Sequence, residues 1–312
     1  MNDPTVTYDV VHRTRYIYES KVSASYGQVH LMPRDAPGQV CTATVVRIDP
    51  EPADYRERVD FFGNWAAYFS IHQPHTRLTV TSTSRVDVQE RPFPPPPGPP
   101  WEQVRDRLAE PATDADLSAS QFTLESPLVC VSEAVERYAA PSFAPGRPVL
   151  EVAADLFSRI HAGFRYRPGS TSVTSGLDEI IDGAQGVCQD FAQLTIGCFR
   201  SRGLAARYVS GYLETRPPPG RPRRQGADVS HAWASVFVPD LGWVDVDPTN
   251  DKFVDNRYVV TAWGRDYSDV PPLKGVMFTE GTERELEVTV DVVPVDGDGT
   301  GTAPGEATGD RG

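Results

Sequence analysis

Apolar and polar residues alternate in several short segments within the first 90 residues of the chain. The segments are VTYDVVHRTRYIYE, CTATVVRID, AAYFSIHQ and RLTVTSTSRVDV, and they are rich in Val, Thr, Tyr and Phe. An alternation with a period of two is typical of strands that bury one face. Turn-forming residues separate the segments at 35–38 and at 63–64. We therefore expect residues 1–90 to form an antiparallel β-sandwich domain.

A proline-rich segment, RPFPPPPGPP at residues 91–100, interrupts this alternation. Seven prolines in ten residues favour the extended polyproline II conformation, which acts as a semi-rigid spacer. The segment is therefore predicted to link two domains. At the other end of the chain, residues 296–312 are almost free of large apolar side chains, and we expect this tail to be disordered.

The hydrophobic period becomes helical after the proline-rich segment. Ser126 as a capping residue and Pro127 in the first turn predict a helix over LVCVSEAVERYAA. Pro148 likewise opens a predicted helix over VLEVAADLFSRIHAGF. A third helix is predicted to begin at Cys188, because the apolar residues that follow it share one stripe, and to end at Gly203.

Strand-like segments return after the third predicted helix. They are AARYVSGYLE, SHAWASVFV, GWVDVD, RYVVTAW and ELEVTVDVV. Helices followed by antiparallel strands indicate an α+β core, which we expect to span residues 101–295.

The composition is that of an acidic protein with enough apolar residues for two domains. The chain has 312 residues, of which 39% are hydrophobic. Its 30 Lys and Arg against 43 Asp and Glu give a net charge of −13, so we expect no binding to nucleic acid or to anionic membranes. No apolar run reaches the roughly 18 residues that span a bilayer, and the N-terminus lacks the pattern of a signal peptide. A cytoplasmic location is therefore expected.

Cys188 is the candidate nucleophile among four widely spaced cysteines. Its predicted place at the start of a helix favours the ionised form of a thiol, because unpaired N–H groups and the helix dipole stabilise negative charge there. The alternative is a small apolar core residue, which is our interpretation of Cys41, Cys130 and Cys198. Asp190 would oppose ionisation of the thiol, but it is better explained as a partner of the first-turn N–H groups.

His231 is the candidate base. It lies in the predicted strand SHAWASVFV, and GWVDVD follows after a tight turn, so antiparallel pairing brings the ends of the two strands together. Either Asp247 or Asp245 can then lie beside the imidazole. A thiol, an imidazole and an orienting carboxylate are the parts of a nucleophilic triad. The alternative for His231 is a structural residue of a strand.

No metal or other cofactor is expected. His72 and His75 have no convincing third ligand nearby in the sequence. The spacing of the polar residues at Asp247, Asn250, Asp251 and Asp255 does not match a calcium loop, and turn formation explains them better.

The motifs around these candidates occur in a characteristic order. GVCQDFA at 186–192 is followed by RYVSGY at 207–212, SHAW at 230–233, GWVDVDPT at 242–249 and GRDYSDV at 264–270. In this order they resemble the core of the transglutaminase-like superfamily, and the N-terminal strands, with Tyr26 and LMPR at 31–34, are similar to the β domain of its bacterial members. The resemblance covers most of residues 5–290. It implies a papain-like α+β core with a Cys-His-Asp triad at Cys188, His231 and Asp247.

A triad of this kind transfers acyl groups. Cys188 would attack an amide carbonyl, His231 would protonate the leaving amine, and the acyl-thioester would pass to water or to another amine. We expect hydrolysis of a peptide or protein amide rather than transamidation, because the sequence shows no site that excludes water. The backbone N–H of Cys188 would bind the oxyanion, and Gln185, Gln189 and Trp233 are candidates for a further donor or a substrate contact.

Two further interpretations follow from the sequence. The chain could be a catalytically idle domain that binds a peptide or partner through its cleft, although an intact triad argues against this. The loop at residues 216–224 carries four arginines and could attract an anionic acyl donor or partner, with a solvated loop as the alternative.

Overall fold

The computed structural model of the chain describes residues 5–90, 94–215, 226, 228–281 and 284–295. Its α-helices are α1 Trp101–Ala109, α2 Asp114–Ser120, α3 Glu133–Ala139, α4 Val149–Gly163, α5 Leu177–Gly183 and α6 Cys188–Arg200. Its strands are β1 Thr5–Val29, β2 Gln39–Asp49, β3 Asp54–Val59, β4 Trp65–Ile71, β5 His75–Gln89, β6 Arg165–Tyr166, β7 Gln185–Gly186, β8 Ala206–Leu213, β9 Val229–Val238, β10 Gly242–Asp247, β11 Lys252–Phe253, β12 Tyr258–Gly264, β13 Leu273–Thr279 and β14 Arg284–Pro294. Within these ranges, none of the helices is both long enough and apolar enough to cross a bilayer.

The N-terminal strands form an antiparallel sheet organised around the long strand β1. An irregularity between Ile17 and Val22 divides β1 into two halves. The first half pairs with β5 and β14, and the second half pairs with β4 and β13. Val80 of β5, which pairs with the first half, and Phe69 of β4, which pairs with the second half, pack in the same hydrophobic cluster, so the bend folds the sheet onto itself. The predicted antiparallel β domain is confirmed.

The last two strands belong to this β domain and not to the core. β13 pairs with β1 through Leu273 and Val29, and β14 pairs with β1 from Arg284 to Pro294. The prediction that the core extends to residue 295 is therefore wrong for these strands. The physical reason is the free edge of β1, which needs a hydrogen-bonding partner along its whole length. Alternation in the sequence indicates which face of a strand is buried, but it does not indicate which other strand it pairs with.

The C-terminal core is a sheet with helices on one side, as the α+β prediction requires. Its strands lie in the order β11-β10-β9-β8-β12, and helix α6 packs on β8 and β9. Helix α6 begins at Cys188 as predicted, and the chain leaves it through Gly203, whose φ of 71° suits glycine. The fold class, an antiparallel β domain followed by a transglutaminase-like α+β core, is confirmed.

The first predicted helix of the core begins later than expected. Ser126 and Val129 exchange backbone hydrogen bonds in a turn, and Ser132 caps α3 by accepting a hydrogen bond from the N–H of Val135. Ser132 competes for the capping role because it is followed directly by the acidic first turn of the helix. Cys130 therefore lies exposed before the helix and not within it.

The described part of the proline-rich segment is docked on the core. The carbonyl oxygens of Pro97 and Pro99 accept hydrogen bonds from the N–H groups of Leu150 and Val149, at 3.0 and 2.9 Å. These carbonyls cap the first turn of α4, because Pro148 has no side chain that could do so. Residues 91–93, the arginine-rich loop and the tail at 296–312 lie outside the described residues.

Side chains of the β domain cover the outer edge of β12. The carboxamide of Gln39 accepts a hydrogen bond from the N–H of Val260 and donates to its carbonyl, both at 2.8 Å. The carboxamide of Asn64 does the same at Trp263, at 2.9 and 2.8 Å. The two domains are thus joined at the strand that closes the core sheet.

Candidate active site

Cys188 occupies the first position of α6 and is half-buried. The turn before it is held by Asp190, whose carboxylate accepts hydrogen bonds from the N–H of Val187 at 2.8 Å and from the hydroxyl of Thr171 at 2.6 Å. The predicted capping role of Asp190 is therefore confirmed. Gly186 permits this turn, because a Cβ at that position would lie 2.8 Å from the Asp190 carboxylate.

His231 lies on β9 and joins the thiol to a carboxylate. Its Nε2 is 2.7 Å from Oδ2 of Asp247, and its ring lies close enough to Cys188 for the sulfur to affect its pKa. Since Asp247 occupies Nε2, the nitrogen left for the sulfur is Nδ1. Burial by itself lowers the pKa of His231, but the hydrogen bonds and charges of Asp247 and Cys188 outweigh it and raise that pKa to about 10.

Asp247 is completely buried and saturated with donors. Its Oδ2 accepts hydrogen bonds from the hydroxyl of Tyr258 and from Nδ2 of Asn250, each at 2.7 Å. Its Oδ1 accepts the N–H of Thr249 at 2.9 Å. Burial would raise the pKa of Asp247, but the hydrogen bonds from His231, Asn250 and Tyr258 lower it below its usual value. The carboxylate is therefore ionised and fixed in orientation.

The structure distinguishes the two aspartates that the sequence left open. Asp247, and not Asp245, forms the hydrogen bond to His231. Asp245 lies opposite Ser235 in the β9–β10 pair and lines a cleft of about 460 Å³ beside Trp243.

The three secondary candidates lie in different places. Trp233 has no exposed surface and packs edge-on against Tyr258, behind His231, so it cannot contact a substrate in this structure. Its identification as a substrate residue is not supported. Alternation placed it on the same face of the strand as His231, but alternation does not indicate how deeply a side chain is buried. Gln185 accepts a hydrogen bond from Arg167, and Gln189 donates to the carbonyl of Val173. Their role as oxyanion donors stays a prediction.

Two tyrosines near the thiol were not found from the sequence. Tyr166 pairs with Gly186 through β6 and β7, which places it at the turn that precedes Cys188. Tyr208 is buried; burial raises its pKa, and the neighbouring Cys188 adds to this rise. The sequence gave no reason to single out either residue, since Tyr166 lies outside the predicted elements and Tyr208 is one of several aromatic residues in predicted strands.

The histidines that were weighed as metal ligands have other partners. Nε2 of His75 is 2.8 Å from the hydroxyl of Ser25, and Nδ1 lies 2.9 Å from the carbonyl of Gln73. Over the described residues, no group of three or more His, Cys, Asp and Glu side chains is arranged to bind a metal ion. A reaction without a metal remains the prediction from the sequence.

Two family models match the chain in the order of its domains. The bacterial transglutaminase-like N-terminal region matches residues 8–87, and the transglutaminase-like superfamily core matches residues 136–248. This chain belongs to the transglutaminase-like superfamily. The superfamily core spans α6 together with Cys188, His231 and Asp247, so all three candidate residues lie within it.

Relatives of this transglutaminase-like protein cover its full length or its core. The uncharacterized protein Rv2569c of Mycobacterium tuberculosis is 48% identical over 94% of this chain and 95% of its own. A protein-glutamine gamma-glutamyltransferase of Pseudomonas aeruginosa is 32% identical over 34% of this chain, which is 16% of that protein. The crystal structure of a candidate cysteine protease from Cytophaga hutchinsonii superposes with a TM-score of 0.74 at 20% identity, over 96% of this chain and 93% of that one. The two-domain fold is therefore shared.

Proposed function

We propose that this protein is a thiol-dependent acyl-transfer enzyme in which Cys188 is the nucleophile, His231 the acid and base, and Asp247 the group that orients the imidazole. The observation that supports it most directly is that Cys188 at the start of α6 lies near His231, which is hydrogen-bonded to the buried carboxylate of Asp247. A helix start stabilises negative charge on the sulfur, and the buried carboxylate stabilises positive charge on the ring. A purely structural role requires neither arrangement.

The proposed reaction begins with an ion pair. Because the pKa of His231 is raised to about 10, the imidazole holds a proton at neutral pH, and its positive charge would stabilise the negative charge of the attacking sulfur. The sulfur attacks an amide carbonyl, and the backbone N–H of Cys188 stabilises the oxyanion. As the C–N bond breaks, Nδ1 of His231 gives its proton to the leaving amine. The neutral ring then takes a proton from water, which attacks the thioester and releases the acid.

Hydrolysis of a peptide or protein amide is the reaction we favour, because water reaches a half-buried sulfur without a special site. Transamidation is the second candidate. It is supported by the partial match to a protein-glutamine gamma-glutamyltransferase, whose matched part covers 34% of this chain. In that reaction a primary amine replaces water as the attacking group. A cytoplasmic location and a protein or peptide substrate remain predictions.

The decisive experiment separates enzyme from binding module and water from amine. Casein, glutamine-donor peptides and peptidoglycan-like amides are incubated with the protein, with and without a fluorescent primary amine. Hydrolysis releases ammonia or new termini, whereas transamidation incorporates the amine. Cys188→Ala should lower either activity by about 10³-fold or more while its thermal midpoint stays within about 3 °C, because this side chain is half-buried at a helix end.

Cys130→Ser is the matched control, because Cys130 is exposed and lies before α3. It should retain full activity. Peptide mapping after brief iodoacetamide treatment near neutral pH should show Cys188 modified ahead of Cys41 and Cys130. Equal labelling of the three thiols, or an active Cys188→Ala variant, contradicts the proposal and favours a binding module.

A further inference from the structure

Strand β12 is an edge of the core sheet, but its outer edge is not free. Val260 and Trp263 each direct an N–H and a carbonyl away from β8, and each pair of groups is bound by one carboxamide from the β domain. A carboxamide presents a donor and an acceptor side by side, as a neighbouring strand does. Gln39 and Asn64 thus replace a paired strand at two points.

Both carboxamides are held rigidly before they reach β12. Nε2 of Gln39 also donates to the carbonyl of Arg34 at 2.7 Å, and the Gln39 side chain is buried. Nδ2 of Asn64 also donates to Asp60 at 2.9 Å. The guanidinium of Arg34 contacts Asn64 and lies 3.3 Å from the centre of the Trp263 ring. A carboxamide that is held in place fixes the position of the β12 backbone to which it is hydrogen-bonded. A mobile carboxamide would move together with that backbone and would not fix it.

The covered strand carries the hydroxyl that holds the carboxylate of the site. Tyr258 is two residues from Val260 on β12, and its hydroxyl donates to Oδ2 of Asp247 at 2.7 Å. The ring of Tyr258 also packs against His231, with the ring centres 6.0 Å apart. A shift of β12 by a fraction of an ångström would lengthen this hydrogen bond and release one side of the carboxylate.

We propose that Gln39 of the β domain is a positioning residue for the active site, acting through β12 and Tyr258 on the Asp247–His231 pair. The β domain then contributes to the geometry of the active site. This inference rests on the proposed function, because it assigns the pair a role in ionising Cys188. Gln39 itself touches none of the reacting groups.

Loss of the Gln39 amide has a definite physical consequence. The buried N–H of Val260 loses its partner, and the carbonyl keeps only the hydrogen bond from the N–H of Arg34 at 3.3 Å, so β12 must move to satisfy the N–H. The titratable groups that face His231 in the described structure are Cys188 from α6, Asp247 from β10 and Tyr258 from β12. Weakening the contact to Asp247 lowers the pKa of His231, so the imidazolium that would stabilise a negative charge on the sulfur of Cys188 is less favoured.

The experiment measures the ion pair and needs no knowledge of the substrate. The alkylation rate of Cys188 by iodoacetamide is measured by peptide mapping at pH 6 and at pH 10. The rate at pH 6 divided by the rate at pH 10 is then compared between variants of the full chain. Gln39→Met keeps the shape of the side chain and removes its hydrogen bonds. Tyr258→Phe removes the hydroxyl, and Val80→Ala destabilises the β domain far from β12 as the control.

Gln39→Met should lower the ratio by up to about tenfold, because a loss of roughly one pKa unit at His231 weakens the ion pair tenfold. Val80→Ala should match the wild type. The double variant of Gln39→Met and Tyr258→Phe should be no worse than Tyr258→Phe alone, because both act through one hydroxyl. An unchanged ratio in Gln39→Met, or additive losses in the double variant, overturns the inference.

Two further outcomes have defined meanings. If Gln39→Met does not fold, the ratio is measured on Gln39→Glu, which keeps the acceptor for Val260 and loses the donor; a fall supports the inference and no change refutes it. If the wild-type ratio is that of an ordinary thiol, about 300-fold lower at pH 6 than at saturation, there is no ion pair and the proposed function fails as well. If the wild type shows the ratio expected of an ion pair and Gln39→Met shows the same ratio, only the role of Gln39 is refuted and the proposed function stands.

Discussion

Asp247→Asn tests the proposed mechanism most sharply, because it keeps the size of the side chain and removes its charge. Oδ2 of Asp247 accepts from His231, Tyr258 and Asn250, while Oδ1 accepts two backbone N–H groups from the following turn. An amide has one acceptor oxygen. If that oxygen keeps the backbone donors, the NH₂ group faces Nε2 of His231, which must then be unprotonated. The proton is held on Nδ1, and the imidazolium is no longer favoured.

The magnitude follows from the burial of the pair. His231 is 6% exposed and Asp247 is fully buried, so solvent screens their interaction little. A carboxylate at this distance raises the pKa of a histidine by about one to three units, and each unit corresponds to about 1.4 kcal/mol. The lost stabilisation of the imidazolium alone predicts a fall in kcat/KM of about 10- to 1,000-fold. The wrong tautomer extends the range to about 10⁴-fold.

The assay compares Asp247→Asn with Asp245→Asn on the amide substrate, using kcat/KM and the pH dependence of Cys188 alkylation. Asp245 lies in the same strand but makes no contact with His231, so its variant should lose less than about twofold. An equal loss in the two variants, or a larger loss in Asp245→Asn, would refute the assignment of Asp247. A fully active Asp247→Asn would refute the need for an oriented imidazole.

The same variant has a stability signature with a definite sign. The pKa of His231 is raised from 6.5 to about 10 in the folded protein, so its contribution to stability is complete below pH 6.5 and is lost as the pH rises towards 10. The pKa of Asp247 is lowered from 3.8, so its contribution is present above that value and is lost as the pH falls below it. The thermal midpoint of the wild type should therefore exceed that of Asp247→Asn most between about pH 4 and 6.5. A difference that grows between pH 7 and 10 contradicts this linkage.

Two predictions concern residues outside the site. Gly211→Ala would place a Cβ 2.1 Å from the carbonyl oxygen of Val259, so it should lower the free energy of unfolding by about 3 kcal/mol or more in urea titrations. Gly163→Ala, where the Cβ meets nothing within 4 Å, is the control and should be neutral; similar losses in both would contradict the packing argument. Burial lowers the pKa of His12 to about 4, so stability should fall as the pH drops from 6.5 towards 4. His12→Gln should flatten this part of the curve of thermal midpoint against pH, and an unchanged curve would mean that other groups cause it.

Hydrophobic periodicity was sufficient for elements whose partners are close in the sequence. Helix α6 was predicted from one apolar stripe between Cys188 and Gly203, and β9 and β10 from alternation on either side of a tight turn. Strand β14 was recognised as a strand but assigned to the core, and β13 was not predicted as a strand. Their partner β1 lies more than 240 residues away in the chain, and period-two alternation carries no information about such a pairing.

For the side chains of the site, too, the sequence predicted only part of what the structure shows. The order of the motifs nominated Cys188, His231 and Asp247, and the fold brings these three together. Tyr258 and Asn250, which hold the carboxylate, could not be found in this way. Asn250 reads as a turn residue after Asp247, and Tyr258 as one of many strand aromatics, so their hydrogen bonds become visible only when β12 is placed beside the end of β10.

The pairing of the strands argues that the β domain and the core fold as one unit. An exposed edge strand must be covered, and the edge of β12 is covered by Gln39 and Asn64 from the β domain. The edge of β1 is covered in turn by β13 and β14, which follow the core in the chain. Removing the first 90 residues would therefore expose β12 and leave β13 and β14 without a sheet. The carboxamides of Gln39 and Asn64 thus join the β domain to the core that carries the proposed nucleophile, and the chain returns from the core to the β domain through β13 and β14, so the geometry of the site depends on both domains.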